Sequence, residues 1–585
     1  MSQRKEGNQR LTVETGLWVL IITIALTLRL ASLDAAPLGL YEAREAMLAW
    51  RAVNGQGPPT TGYSPLLFAA NGFLFALCGA SDRLARFWPA LCGAALALTP
   101  YLLRRQMGRT GALVAGAYLA ISPVALYASR QVDGTIMAAL GVMAMFGGFL
   151  NFLATPERRW LMLTVGGLAV AVTASSSAWG LLISLALAGA GLAMVERTQV
   201  AEFLRETVRP HLAWALPAGL LALLACATGL WWNPAGLGAT GDLFVEWVAR
   251  FGLSQQPCPS PVLLLAVYEP LALLYGLGGA LWSFWYGRRL GQLLGLWVLL
   301  GTLLLSMMPA RLPLDVLWVA LPLSILLGVT VESLVESLKR RKEWHIFLLC
   351  IVVMVILWGH IYLVLARYAL WGQVTDQVLV AMSLALFGLL IILFVVTTDI
   401  QTTLHAVAVS IMLALLMCTV SAAWGVAYVR PSDPAELLTR EPTAPEIRDL
   451  LETLRELSWR ETGMPMTLRF TFEASSDPVL AWYLRGFSAA TRIEPGEMAG
   501  EIPAVLVTES MTAGGREQPG LPPGVTGEHK IIGQDFVIHR SWSPLEIKCV
   551  AGTPPQCQAA VRWWLFRKGL TQPADDRWAV LWLIE

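Results

Sequence analysis

The chain has 585 residues, of which 56% are hydrophobic and only 14% charged, with a net charge of +1. Soluble domains carry roughly 25% charged residues, and a globular core cannot hide this much apolar surface, so lipid must solvate much of it. The near-neutral balance excludes a basic field for nucleic acid, and the 8 cysteines and 6 histidines are scattered without zinc spacing.

The N-terminal segment is polar and carries Arg4, Lys5 and Arg10 ahead of an apolar run at 17–32. No small-residue cleavage site follows that run, so it reads as a retained first span rather than a removed signal peptide. A long loop comes next. In it, Tyr41 and Glu45 are four apart and Glu42 and Glu45 three apart, so a helix would put them on one face beside Arg44. Two carboxylates and an arginine at a membrane surface suit proton abstraction next to an anionic headgroup. They equally suit a solvated surface ion pair. The apolar stretch 65–79 is short for a span and is expected to be an interfacial helix.

Further apolar runs of spanning length follow at 84–103, 112–127, 135–153, 161–174, 178–195, 212–232, 262–285, 290–308, 314–334, 344–365, 378–396 and 404–427, which makes thirteen in all. With the N-terminus in the cytoplasm, each strong basic cluster falls on that side: Arg104 with Arg105 and Arg109, Arg158 with Arg159, Arg197 with Arg205 and Arg209, Arg288 with Arg289, and Lys339 to Lys342. This is the charge bias that orients spans during insertion.

Three charged sites break the apolar pattern on the opposite side. Asp133 at the edge of the third span is costly to desolvate unless it is paired, with Arg130 as the near partner, or faces a wet cavity. Glu269, between Tyr268 and Pro270, lies inside an apolar run. It is either a site carboxylate or a buried carboxyl capped by a neighbour. Arg311, in Pro309-Ala310-Arg311-Leu312-Pro313, sits at an outer turn and reads equally as a snorkelling anchor.

Composition shifts near residue 430, where Pro, Glu, Asp and Arg return. A membrane domain at 1–429 and an extracytoplasmic α+β domain at 430–585 are expected. In the latter, 434–459 reads as a helix and 466–472, 504–508 and 530–538 as strands. Cys549 and Cys557 are close enough in sequence for a small disulfide loop or for two free thiols. Asp477 to Arg485 and Arg562 to Arg567 mix aromatic rings with arginines, which suits sugar stacking, interfacial anchoring or ordinary core packing.

The ordered set Arg29 to Leu33, Pro37 to Leu40, Tyr41-Glu42-Ala43-Arg44, Gly55, Tyr63-Ser64-Pro65-Leu66, Phe75-Ala76-Leu77, Ser81-Asp82, Arg86 and Ala90 to Gly93 resembles the start of membrane glycosyltransferases of the C fold. The protein mannosyltransferase and aminoarabinose transferase group is the nearest likeness, and it covers the N-terminal third well. The resemblance implies a polyprenyl-phosphate-linked sugar donor, a glycan, lipid or protein acceptor, and chemistry on the outer membrane face. It also implies an Asp, serving as base or metal contact, where this chain has Tyr41, so Glu42 becomes the candidate base and a divalent metal stays an open question. Arg44 matches an arginine on the lipid phosphate, and a guanidinium fork suits that role. Ser129-Arg130-Gln131-Val132-Asp133 resembles a shortened Ser-Arg-x-x-Arg-x-Asp pattern, which makes Asp133 a second acid. Arg311 resembles a second phosphate-holding position, with Glu45, Arg130 and Glu269 in support. The expected function is therefore transfer of a sugar from a lipid phosphate. The alternative is a non-catalytic accessory of lipid-linked sugar export, for which Tyr41 speaks. Ion-coupled transport is disfavoured, because the later spans are nearly free of central charge.

Overall fold

The computed structural model describes residues 13–57, 59, 62–195, 204–252, 258–338, 344–473, 478–493, 504–513, 531–540, 554–568 and 575–584. The Arg4, Lys5 and Arg10 cluster, Arg197, Lys339 to Lys342, Asp477 and Cys549 lie outside the described residues, and with Cys549 goes the expected disulfide.

Helices dominate up to Val429. Among the described residues nine are long and apolar enough to cross a membrane, or ten if the bent pair Pro261–Tyr268 and Pro270–Trp285 counts as one span. The expected thirteen are not all continuous helices of that length, and the reasons are local breaks. The second expected span divides into Phe87–Leu96 and a 3-10 turn, Thr99–Leu103, opened by Pro100. The third ends at Ser122, whose hydroxyl accepts from the Ala125 N–H and caps a new helix, Pro123–Ala128. The fifth, Arg158–Ala174, is 17 residues long. The eighth bends by 111° at Glu269, where Pro270 supplies no N–H and cannot continue the preceding helix. The helix Pro65–Cys78 has 14 residues, about 21 Å at 1.5 Å per residue and short of a bilayer core of about 30 Å.

The C-terminal region holds a five-stranded sheet of order β2-β1-β3-β5-β4. Its strands are β1 (Phe470–Glu473), β2 (Ala490–Ile493), β3 (Val505–Ala513), β4 (Ile531–Arg540) and β5 (Asp575–Ile584). β1 runs parallel to β2 and β3, while β5 is antiparallel to both β3 and β4. The helix expected at 434–459 starts only at Ile447 and runs to Thr462. Pro442 and Pro445 precede it and keep the chain out of helical geometry.

This region is joined to the bundle. One apolar cluster runs from the spans through Leu38 and Ala43 to Trp482, Leu450 and Trp563. Polar ties cross the same boundary: the Leu38 N–H donates to the Tyr483 hydroxyl at 2.8 Å, and the Trp482 indole donates to Asp82 at 2.8 Å. A buried knot joins Glu436 to Tyr268, to Arg430 at 2.8 Å and to Arg567 at 3.2 Å. Trp563 is buried here with its N–H on the Ala435 carbonyl, so part of the Arg562 to Arg567 stretch is core rather than a stacking surface.

Candidate active site

The first-loop helix, Leu40–Val53, carries Glu42 in its first turn, and that carboxylate closes the helix end by accepting from the Gly39 N–H at 2.9 Å. Arg86 meets it side-on, Nε to Oε1 at 2.8 Å and Nη2 to Oε2 at 2.6 Å, and the Val132 N–H donates to Oε1 at 2.8 Å. The rest of the Arg86 fork holds the carbonyls of Leu33, Ala36 and Pro37. Four donors occupy the two carboxylate oxygens of Glu42, which leaves no room for an incoming hydroxyl. Glu42 pins the first loop to the turn that carries Asp133.

One turn further along the helix, Glu45 is freer. It accepts only a long bond from the Ser64 N–H, 3.4 Å. Burial lifts its carboxyl from the ordinary 4.5 to about 7, opposed by that N–H and by Arg44, and the neighbouring charges of Asp133 and Glu246 push the same way as burial. Asp133 lies near enough to act on Glu45 through its charge and is held by the N–H and hydroxyl of Thr135 through one oxygen. Burial raises it too, against the Thr135 bonds and Arg250.

Arg250 lies close enough to Asp133 to act on it through its charge. It is 7% exposed and binds Glu246 at 2.9 Å, Asp315 at 3.2 Å, and the hydroxyls of Ser176 and Ser177. Asp315 is wholly buried and also accepts from the Leu312 N–H at 2.8 Å. These three charged residues escaped the sequence reading, although one signal was present. Asp315 is the sole acid in an apolar stretch that extends to Glu332, and such a residue requires a partner.

The rim is basic. Arg44 is exposed and spends one bond on the Gly62 carbonyl at 3.1 Å. Tyr41, where the resemblance expects Asp, lies against Arg440, whose guanidinium sits 3.7 Å from the ring centroid and also bonds the phenol oxygen. Both Arg44 and Arg440 act electrostatically on that phenol. Arg311 is committed elsewhere, to the carbonyls of Cys258 at 2.7 Å, Met308 at 3.1 Å and Pro259 at 3.2 Å. Arg130 is likewise spent on carbonyls at the end of the first span, including Ala31 at 2.7 Å and Ser32 at 2.8 Å, and stacks on Tyr428. It is not the partner of Asp133. Glu269 is buried at the bend of its helix pair and accepts from Tyr118, from Ser122 at 2.5 Å and from the Val124 N–H at 3.1 Å. That cap joins two broken spans and engages both oxygens of Glu269.

Among the described residues no group of three or more His, Cys, Asp and Glu is placed to hold a metal ion.

No family model matches the chain, and no curated protein matches it in sequence. Among solved structures it is similar to ArnT from Cupriavidus metallidurans bound to undecaprenyl phosphate, with 17% identity, a TM-score of 0.52, and coverage of 86% of this chain and 97% of that one. It is also similar to the Archaeoglobus fulgidus oligosaccharyltransferase tethered with an acceptor peptide, at 12% identity and a TM-score of 0.46, over 82% of this chain and 64% of that longer one. At such identity the likeness is one of fold. The chain has the C-type fold of multi-span membrane glycosyltransferases and carries a C-terminal α+β region.

Proposed function

We propose that the protein is a membrane glycosyltransferase that moves a sugar from a polyprenyl-phosphate-linked donor to an acceptor nucleophile on the extracytoplasmic face. One observation carries this reading: Glu45 and Asp133, both half-buried, are close enough to act on each other through their charge, while Arg44 acts on Glu45 and Arg44 and Arg440 both act on Tyr41 one turn before it. The acceptor oxygen attacks the anomeric carbon as the bond from that carbon to the phosphate oxygen breaks. Glu45 takes the acceptor proton, and the electron pair leaves with the polyprenyl phosphate. Arg44 and Arg440 face the charge that grows on that leaving group, while Arg250 and Asp133 orient the sugar hydroxyls. Glu42, Arg311 and Glu269 serve the scaffold.

Purified protein in lipid vesicles supplied with an undecaprenyl-phosphate sugar tests this, with release of undecaprenyl phosphate as the readout. In the host, deletion of the gene is expected to accumulate the lipid-linked sugar and to remove one surface glycan. The accessory reading keeps one observation in its favour, the Tyr41 ring filling the place of the expected acid. It predicts donor binding without release.

Replacing Arg44 or Arg440 by Ala is expected to weaken binding of undecaprenyl phosphate about tenfold each, the loss of one charge-assisted contact, with turnover at saturating donor less affected. Unchanged affinity in both variants would move the phosphate site away from this rim.

The orientation proposed here puts the N-terminus in the cytoplasm and residues 430–585 outside. Gly241 has open space where a side chain would go, so Gly241→Cys is expected to react with an impermeant maleimide added to intact cells, and Arg340→Cys only after lysis. Labelling of residue 340 in intact cells would invert the topology.

A further inference from the structure

A cavity lies on the C-terminal region, with neither Glu45 nor Asp133 in its lining. It has a volume of about 750 Å³ and is walled by the Ile447–Thr462 helix on one side and by Asp82 and Tyr483 on the other. That helix has two faces. Ile447, Leu450, Leu454 and Ser458 are buried, whereas Arg448, Glu452, Glu456 and Trp459, spaced by three or four residues, line the cavity together with Arg455. Trp459 is 62% exposed, although Trp is among the most buried residue types on average. Glu452 and Arg455 make no hydrogen bond or ion pair with any described residue, and Arg460 and Glu456 meet only at 3.7 Å with both side chains mostly in solvent.

We propose that this cavity binds a saccharide chain. An open indole offers a flat apolar face to the C–H side of a sugar ring. Beside it, unengaged carboxylates and guanidinium groups can accept from and donate to sugar hydroxyls. The lining carries three acids, Asp82, Glu452 and Glu456, against three arginines, Arg448, Arg455 and Arg460, a balance that gives no net hold on a polyanion or an anionic membrane. So charged a wall also suits an apolar helix poorly. The volume falls in the range of small-ligand sites, about 300–1,000 Å³.

The floor connects to the first loop. Asp82 receives the Trp482 indole and the Tyr483 hydroxyl at 2.8 Å each, and that same hydroxyl accepts from Leu38, two residues before the first-loop helix begins. A glycan seated here would lie next to the segment that carries Glu42 and Glu45. Use of the cavity to hold an acceptor glycan rests on the transferase reading, whereas the binding itself does not.

The test uses full-length protein in detergent, titrated separately with chitotriose, mannotriose and cellotriose, and read by saturation-transfer NMR and tryptophan fluorescence. Saturable binding of at least one trisaccharide is expected. Trp459→Ala should weaken it about tenfold, the equivalent of one lost ring contact, and Trp459→Phe should restore most of it. Glu452→Gln combined with Arg455→Gln should weaken it to a similar degree. Because Trp459, Glu452 and Arg455 are all exposed, unchanged thermal midpoints are expected for these variants. Absence of saturable binding of all three sugars, or binding untouched by Trp459→Ala, overturns the proposal. So does arginine-dependent binding of phosphatidylglycerol vesicles in place of sugar, which would reassign the cavity to a lipid headgroup. Donor release measured on the same preparation reports separately on the transferase reading.

Discussion

Glu45→Gln is expected to cut turnover about 100-fold or more, the range seen when a general base is lost, with affinity for undecaprenyl phosphate nearly unchanged. Glutamine keeps the shape of the side chain and its acceptor toward the Ser64 N–H but cannot take a proton. Burial has already raised the Glu45 carboxyl to about 7, so in the wild type the group is protonated and inactive as a base below that pH. The rate should therefore climb as pH rises through about 7, by roughly tenfold per unit on the acid side, and level off above. Asp133 lies nearby and its charge helps to hold Glu45 up, so the limb belongs to the pair. Asp133→Asn should move the limb to lower pH, because a like charge has gone. Measuring rate against pH for the wild type and both variants separates the roles. If Glu45→Gln keeps both full rate and the acid limb, the base lies elsewhere and Asp133 is the next candidate.

The membrane class and the first loop could be read from the chain because they rest on local signals, whereas the C fold was implied by the resemblance that the ordered set from Arg29 to Gly93 carries. Apolar run length, basic clusters and the spacing of Tyr41, Glu42 and Glu45 are all visible within short windows. What failed was anything set by breaks inside an apolar run. Ser122-Pro123 and Glu269-Pro270 divide runs that hydropathy counts as continuous, since hydropathy averages over the residue that stops a helix. The roles of individual charges were hidden for a different reason. Glu42 and Glu45 look equivalent on a helix face, yet Arg86, 44 residues from Glu42, consumes one and spares the other. Arg311 and Arg130 looked like free cations at the outer edge, but tertiary packing aims both at backbone carbonyls. Arg440 sits in a segment with no motif at all and reaches the site only because the C-terminal region folds back onto the first loop.

Arg86→Ala carries the largest expected effect on stability. Both members of the Arg86 and Glu42 pair are buried, with side-chain exposures of 4% and 8%, and deleting one partner of a buried pair costs about 3–5 kcal/mol because the other charge is left uncompensated. Three carbonyls between Leu33 and Pro37 lose their donor in the same step. The thermal midpoint of the solubilised protein should fall well below that of the wild type, with little folded material recovered. Glu42→Gln is gentler in charge but not in geometry. An amide presents a donor where Arg86, Gly39 or Val132 also donates, so the midpoint should fall by a smaller margin. The combined change Arg86→Met with Glu42→Gln should recover part of the loss of Arg86→Ala, since no buried charge then stands alone. These variants also divide the anchor from the base. A base at Glu42 would keep the midpoint and lose turnover in Glu42→Gln, whereas an anchor loses midpoint first, and its folded fraction turns over within about tenfold of wild type because Glu45 still meets the substrate.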